Sequence, residues 1–178
     1  MKFALPTFIF IILGMVLFAG CGNQGSKGVQ AFEQGMPVVL GSDLKVVGGT
    51  PVDFPGAPAD VYEGDINIWF YESQPFTGWS IMKYENGNLE RKEFLQTGLQ
   101  HGLAQFWYVD GQLRAENNWH YGVPDGLEVL WHENGKVHAI NYWQRGIVLI
   151  KRVWDKSGSE LKVEGWNEDG TPIATSGK

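Results

Sequence analysis

Cysteine is nearly missing from this chain. The single one, Cys21, rules out an internal disulfide framework. Basic charge is also scarce: 14 Lys and Arg stand against 20 Asp and Glu, for a net charge of −6, and no basic run occurs. Nucleic acid is therefore not an expected partner. The apolar stretch 8–19 has twelve residues, short of the ~20 that a membrane-crossing helix requires. Catalytic patterns are missing too. His101, His120, His132 and His138 do not form a metal spacing such as H-E-x-x-H, because the turn residues Asn134-Gly135 follow His132-Glu133. No G-x-S-x-G elbow, phosphate loop or G-x-G-x-x-G occurs. Glu72, Asp110, Glu133 and Asp155 sit at or beside turns, where turn propensity accounts for them. The expectation is a protein that is not an enzyme and carries no metal or cofactor.

Glycine and tryptophan are plentiful instead. Gly78, Gly102 and Gly126 are spaced by 24, and so are Gly87, Gly111, Gly135 and Gly98, Gly122, Gly146. Three columns at one period predict a stacked repeat. Asn86-Gly87, Asp110-Gly111 and Asn134-Gly135 suit two-residue type I′ turns, in which both turn residues need positive φ. Each unit then reads as one β-hairpin, with the outer glycines in a looser turn to the next. That turn pairs Tyr84 with Leu89, Lys83 with Glu90, Tyr108 with Leu113, Trp107 with Arg114, His132 with Val137 and Trp131 with His138. One face, expected to be the core, carries Met82, Tyr84, Leu89, Phe106, Tyr108, Leu113, Ala115, Leu130, Val137 and Ala139. Trp107, Trp131, Arg114, Lys83, Glu90 and His138 fall on the other, which separates His132 from His138. A cation over an indole, Arg114 on Trp107, would support the ladder by ~0.5 kcal/mol.

The unit resembles the bacterial variant of the MORN repeat: Gly102, Phe106-Trp107-Tyr108, Asp110-Gly111, Leu113, Gly122 and Gly126 follow its pattern, and the likeness extends over residues 66–165. The resemblance implies an all-β meander or open twisted sheet of antiparallel hairpins. Many proteins with such repeats are described as antitoxins of toxin–antitoxin systems. That role fits an exported chain poorly, since export would separate it from a cytoplasmic toxin.

Residues 1–20 read as an export signal helix, with Lys2 before the apolar run. Phe18-Ala19-Gly20-Cys21 resembles the bacterial lipobox, which implies that Cys21 takes a diacylglycerol and starts the mature chain. Gly22, not Asp, follows it, which by the same analogy favours the outer membrane where a cell has two. Residues 21–57, with Pro37, Pro51 and Pro55, read as a flexible tether, with one small hairpin allowed across Gly41-Ser42-Asp43. Residues 58–166 form the repeat domain, opened by a strand at 66–71 and closed by a degenerate fourth unit at 148–166. Residues 167–178 read as a tail.

All 8 tryptophans follow residue 60. Trp107 and Trp131 share one repeat position, and Trp119 and Trp143 another, which predicts two ladders. They either pack the sheet or, with Arg114, form a binding surface. The functional expectation is a lipid-anchored envelope protein whose repeats bind another protein. The alternative is a glycan or cell-wall binder.

Overall fold

The computed structural model describes residues 31–33, 35–49 and 66–173. The expected signal, Cys21 and its lipid lie outside the described residues. Within them the fold is all β; the one helical element is a 3-10 turn, Gly41–Asp43. Thirteen strands occur among the described residues: β1 (Ala31–Glu33), β2 (Met36–Leu40), β3 (Lys45–Gly49), β4 (Ile66–Tyr71), β5 (Gln74–Pro75), β6 (Gly78–Lys83), β7 (Leu89–Gln96), β8 (Leu99–Trp107), β9 (Leu113–His120), β10 (Val123–Trp131), β11 (Val137–Gln144), β12 (Ile147–Trp154) and β13 (Glu160–Gly165). From β6 to β13 every strand pairs antiparallel with the next, as the repeat reading expects. β2 adds to this meander in parallel, with Val39 beside Ser80. A parallel pair needs a crossover, and the crossover here includes a second sheet of three strands, β3-β4-β5.

Over residues 36–49 this arrangement corrects the tether reading. The apolar patches at 38–40 and 44–47 are not two arms of one hairpin; each joins a different sheet. Val39 is fully buried and packs with Leu44, Phe76 and Leu95, with Trp69 and Tyr71 against them. Ile68 and Leu99 form the neighbouring cluster, against Phe70 and Tyr121. Glycine also serves packing here. A Cβ on Gly41 would lie 2.7 Å from Met82 Cγ, and one on Gly78 would lie 2.4 Å from the Pro37 carbonyl oxygen.

The turn chemistry is the reverse of the expectation. At the Asn/Asp-Gly sites the loop has three residues. The Gly87 amide donates to the Tyr84 carbonyl (2.9 Å) and the Tyr84 amide to the Asn88 carbonyl (2.9 Å). The Tyr108, His132 and Asp155 turns repeat this pattern. Only the glycines take positive φ there: +88° at Gly87, +89° at Gly111, +77° at Gly135 and +94° at Gly158. This is a type I turn followed by a glycine bulge. Asn86, Asp110 and Asn134 serve differently: each side-chain oxygen accepts the amide two residues on. The two-residue turns lie at the other end of the hairpins, at Glu72-Ser73, Thr97-Gly98, Tyr121-Gly122 and Arg145-Gly146. Both residues of each have positive φ, as at Thr97 (+49°) and Gly98 (+80°).

The longer loop shifts the register. Leu89 pairs with Lys83, Leu113 with Trp107 and Val137 with Trp131, not with Tyr84, Tyr108 and His132. These three expected core residues therefore stand opposite members of the other face. Glu90, Arg114, His138 and Leu161 become the extra residues of one-residue bulges. Beyond the bulge the faces are as expected. Met82, Arg91, Phe106, Ala115, Leu130, Ala139 and Val153 are successive partners on the inner face, the side on which Arg91 meets Trp69 of the second sheet. The expected tail also carries structure at its start. The Asn167 amide donates to the Thr171 carbonyl at 2.8 Å, and the Ile173 amide to the Gly165 carbonyl at 2.7 Å.

Candidate docking face

The expected tryptophan surface divides between two faces. Pairing and alternation put Trp107 and Trp131 on the outer face and Trp119 and Trp143 on the inner one. All four are half-buried. They do not stack as ladders: β9 separates Trp107 from Trp131, and β10 separates Trp119 from Trp143. Arg114 does not reach Trp107. As the bulged residue it turns to the inner side, 5.7 Å from the Phe106 ring. The same displacement brings His138 to His132, Nδ1 to Nε2 3.2 Å, where the expected register kept them on opposite faces.

Trp143 has a structural task. Its Nε1 donates to Glu128 Oε2 (2.8 Å), which also accepts from Asn141 Nδ2 (2.7 Å). Glu128 and Asn141 belong to a row crossing the inner face, polar except at Ala104: Ser80, Glu93, Ala104, Asn117, Glu128, Asn141, Lys151 and Glu164 are successive partners. Glu93, Asn117 and Asn141 keep the 24-residue spacing, so part of the row is visible in the sequence once the register is known. Glu93 is fully buried. It accepts from Gln100 Nε2 (2.7 Å) and forms an ion pair with Arg91 Nε at 3.1 Å.

Burial pushes the Glu93 carboxyl above its ordinary range, and Arg91 and then Gln100 oppose that rise. A raised carboxyl makes the folded state bind the proton more tightly. Its contribution is therefore full below the ordinary carboxyl pKa of ~4.3 and is lost as pH rises through the folded value. Glu93→Gln is expected to flatten the fall in stability above pH ~4.3, measured by denaturant melts across pH. An unchanged slope would show that Glu93 ionises freely in the fold.

The outer face offers a different surface. Trp79 pairs with Phe94, Leu103 with Asn118, and Leu127 with Tyr142, which in turn pairs with Ile150. Leu103 (43%), Leu127 (49%), Tyr142 (44%) and Ile150 (47%) are exposed. Near Trp79 and Phe94 the row borders a shallow groove of about 320 Å³, lined also by Met36, His101, Gly102 and Leu103. Asn118 interrupts the row, and its Nδ2 is tied down to the Leu127 carbonyl at 2.8 Å. Lys92 Nζ lies 4.6 Å from the Trp79 ring and the Arg152 guanidinium 5.1 Å from the Trp154 ring, so cations flank the apolar row. Sequence reasoning missed Leu103 and Leu127, which share a repeat position with Trp79. Alternation sets both leucines on the side of Trp107 and Trp131, and the fold shows that they are exposed there.

Among the described residues no three His, Cys, Asp or Glu side chains gather as a metal site would require, and no helix is long and apolar enough to cross a membrane. No family model matches the chain, and neither a curated protein nor a solved structure matches it.

Proposed function

We propose that this is a lipid-anchored protein of the bacterial cell envelope whose repeat sheet docks another protein through its outer face. The observation that carries the reading is the exposed row Leu103, Leu127, Tyr142 and Ile150 on one regular sheet. Scattered apolar residues at a surface need no explanation, but a row aligned by strand pairing and rimmed by polar groups suits a protein interface. The lipobox-like Phe18-Ala19-Gly20-Cys21 and the MORN-like units support the address and the scaffold role.

Replacing Leu103 and Leu127 together with glutamate is expected to leave the melting temperature within a few degrees, because both side chains are exposed. Affinity capture from envelope extracts would then lose the partners retained by the native protein. An unchanged partner set would remove this surface as the docking site. Trp107 and Trp131 on the outer face also suit the flat faces of sugar rings. Retention on insoluble peptidoglycan or polysaccharide that survives the leucine pair but fails in Trp107→Ala and Trp131→Ala would favour the glycan reading instead.

A further inference from the structure

Successive hairpins are clasped by a repeated contact near the bulged turns. Tyr84 Oη donates to the Trp107 carbonyl at 2.8 Å, and Tyr108 Oη to the Trp131 carbonyl at 2.7 Å. In the next unit the tyrosine position holds His132, whose Nε2 lies 3.0 Å from the Trp154 carbonyl. A carbonyl can only accept, so His132 Nε2 carries the proton. His138 Nδ1 stands 3.2 Å from that same nitrogen. It therefore faces an N–H and must present its lone pair. Adding a proton to His138 Nδ1 would set two N–H donors against each other at this distance.

We propose that His132 and His138 form an acid-released latch between the third hairpin (β10 and β11) and the fourth (β12 and β13). The neutral pair holds the Trp154 carbonyl as the two tyrosines hold theirs. Protonation of His138 pushes His132 off the carbonyl and loosens the Asp155–Ser159 turn, which keeps Asn134 Nδ2 on the Lys156 carbonyl (2.8 Å) and Lys136 Nζ on the Ser157 carbonyl (2.6 Å), while the β11–β12 ladder stays paired. The surroundings agree with this. The β10–β11 turn presents His132, Glu133 and Lys136, β12 presents Lys151, and the turn after β12 carries Asp155 and Lys156. Arg114 of β9 lies over Phe106. The remaining charges of β12 and β13 are paired with one another, Arg152 with Glu160 and Lys162 with Glu164, each at 2.7 Å. Burial first, then His132 and Lys151, lower the His138 pKa below the usual histidine value. A depressed histidine contributes stability above its unfolded pKa of ~6.5 and loses it as pH falls through the folded value. This sign is opposite to that of Glu93.

Hydrogen exchange on the full chain, at about pH 7.5 and 5.5 and corrected for intrinsic rates, tests the latch. Protection of the Asp155 and Gly158 amides, which bond to the Ser159 and Asp155 carbonyls, should drop about fivefold at the lower pH, the factor of one hydrogen bond. His132→Tyr restores the residue of the first two units and should abolish that drop. His138→Gln, which cannot be protonated, should abolish it as well. In the native protein the His138 ring and the Trp154 and Asp155 amides should titrate with one midpoint in NMR. Equal acid loss in His132→Tyr and the native chain, or a His138 midpoint not shared by those amides, would overturn the latch.

Discussion

Gly98→Ala should destabilise the protein by about 3 kcal/mol and lower its melting temperature by about 10 °C. Gly98 sits at φ +80°, where an added Cβ would lie 2.8 Å from Ile68 Cγ2 and 2.9 Å from the Trp69 carbonyl oxygen. The left-handed conformation costs an alanine about 1 kcal/mol by itself. Displacing the close neighbours adds roughly another 1–3 kcal/mol. The neighbours cannot move freely, because Gly98 ties the two sheets together. Its amide donates to the Phe76 carbonyl at 2.7 Å, and its carbonyl accepts the Trp69 amide at 2.8 Å. Gly87→Ala is the control. Gly87 has a similar φ of +88° but nothing within 4 Å of a new Cβ, so about 1 kcal/mol is expected. Denaturant melts separate the two, and equal losses would mean that the sheets do not meet at Gly98.

The second large effect concerns the amino-terminal strands. A chain beginning at residue 58 keeps every repeat hairpin but lacks β1, β2 and β3. It loses Val39 and Leu44 and uncovers Leu95 and Phe76, which pack against them. Each such side chain is worth about 1.5–3 kcal/mol on burial, so the sum rivals the whole stability of an ordinary domain, roughly 5–15 kcal/mol. The shortened chain should therefore fail to unfold cooperatively and should aggregate, whereas a chain beginning at residue 31 should show a single transition. A cooperative melt from the shorter chain at the longer chain's midpoint would restore the tether reading.

Gly98 and the amino-terminal strands also show where the sequence was legible. The 24-residue period identified the hairpins because every unit repeats the same backbone demands at the same glycines. It did not reveal which demand each glycine meets. Asn-Gly fits a two-residue turn and a bulged three-residue turn equally well. The hydrogen bonds of Gly87, Gly111 and Gly135 select the second. That one-residue difference moved Arg114 from Trp107 to Phe106 and placed His138 beside His132. The pairing of β2 and β3 was missed because short apolar patches among glycines and prolines look like spacer with at most a local hairpin. Their partners, Ser80 and Trp69 among others, are too far along the chain to be seen by local pattern. Leu103 and Leu127 were missed for a different reason: alternation already sets them on the side of Trp107 and Trp131, but their exposure depends on what the rest of the fold covers.

Site-directed photo-crosslinking in living cells tests the docking face most directly. A benzophenone side chain at Leu127 points outward from the row, while one at Leu130, three residues on, belongs to the inner row between Ala115 and Ala139. A discrete crosslinked protein is expected from position 127 and none from position 130. Crosslinks from 130 alone, or none from 127 in cells where the native chain is anchored and folded, would contradict docking through the outer face.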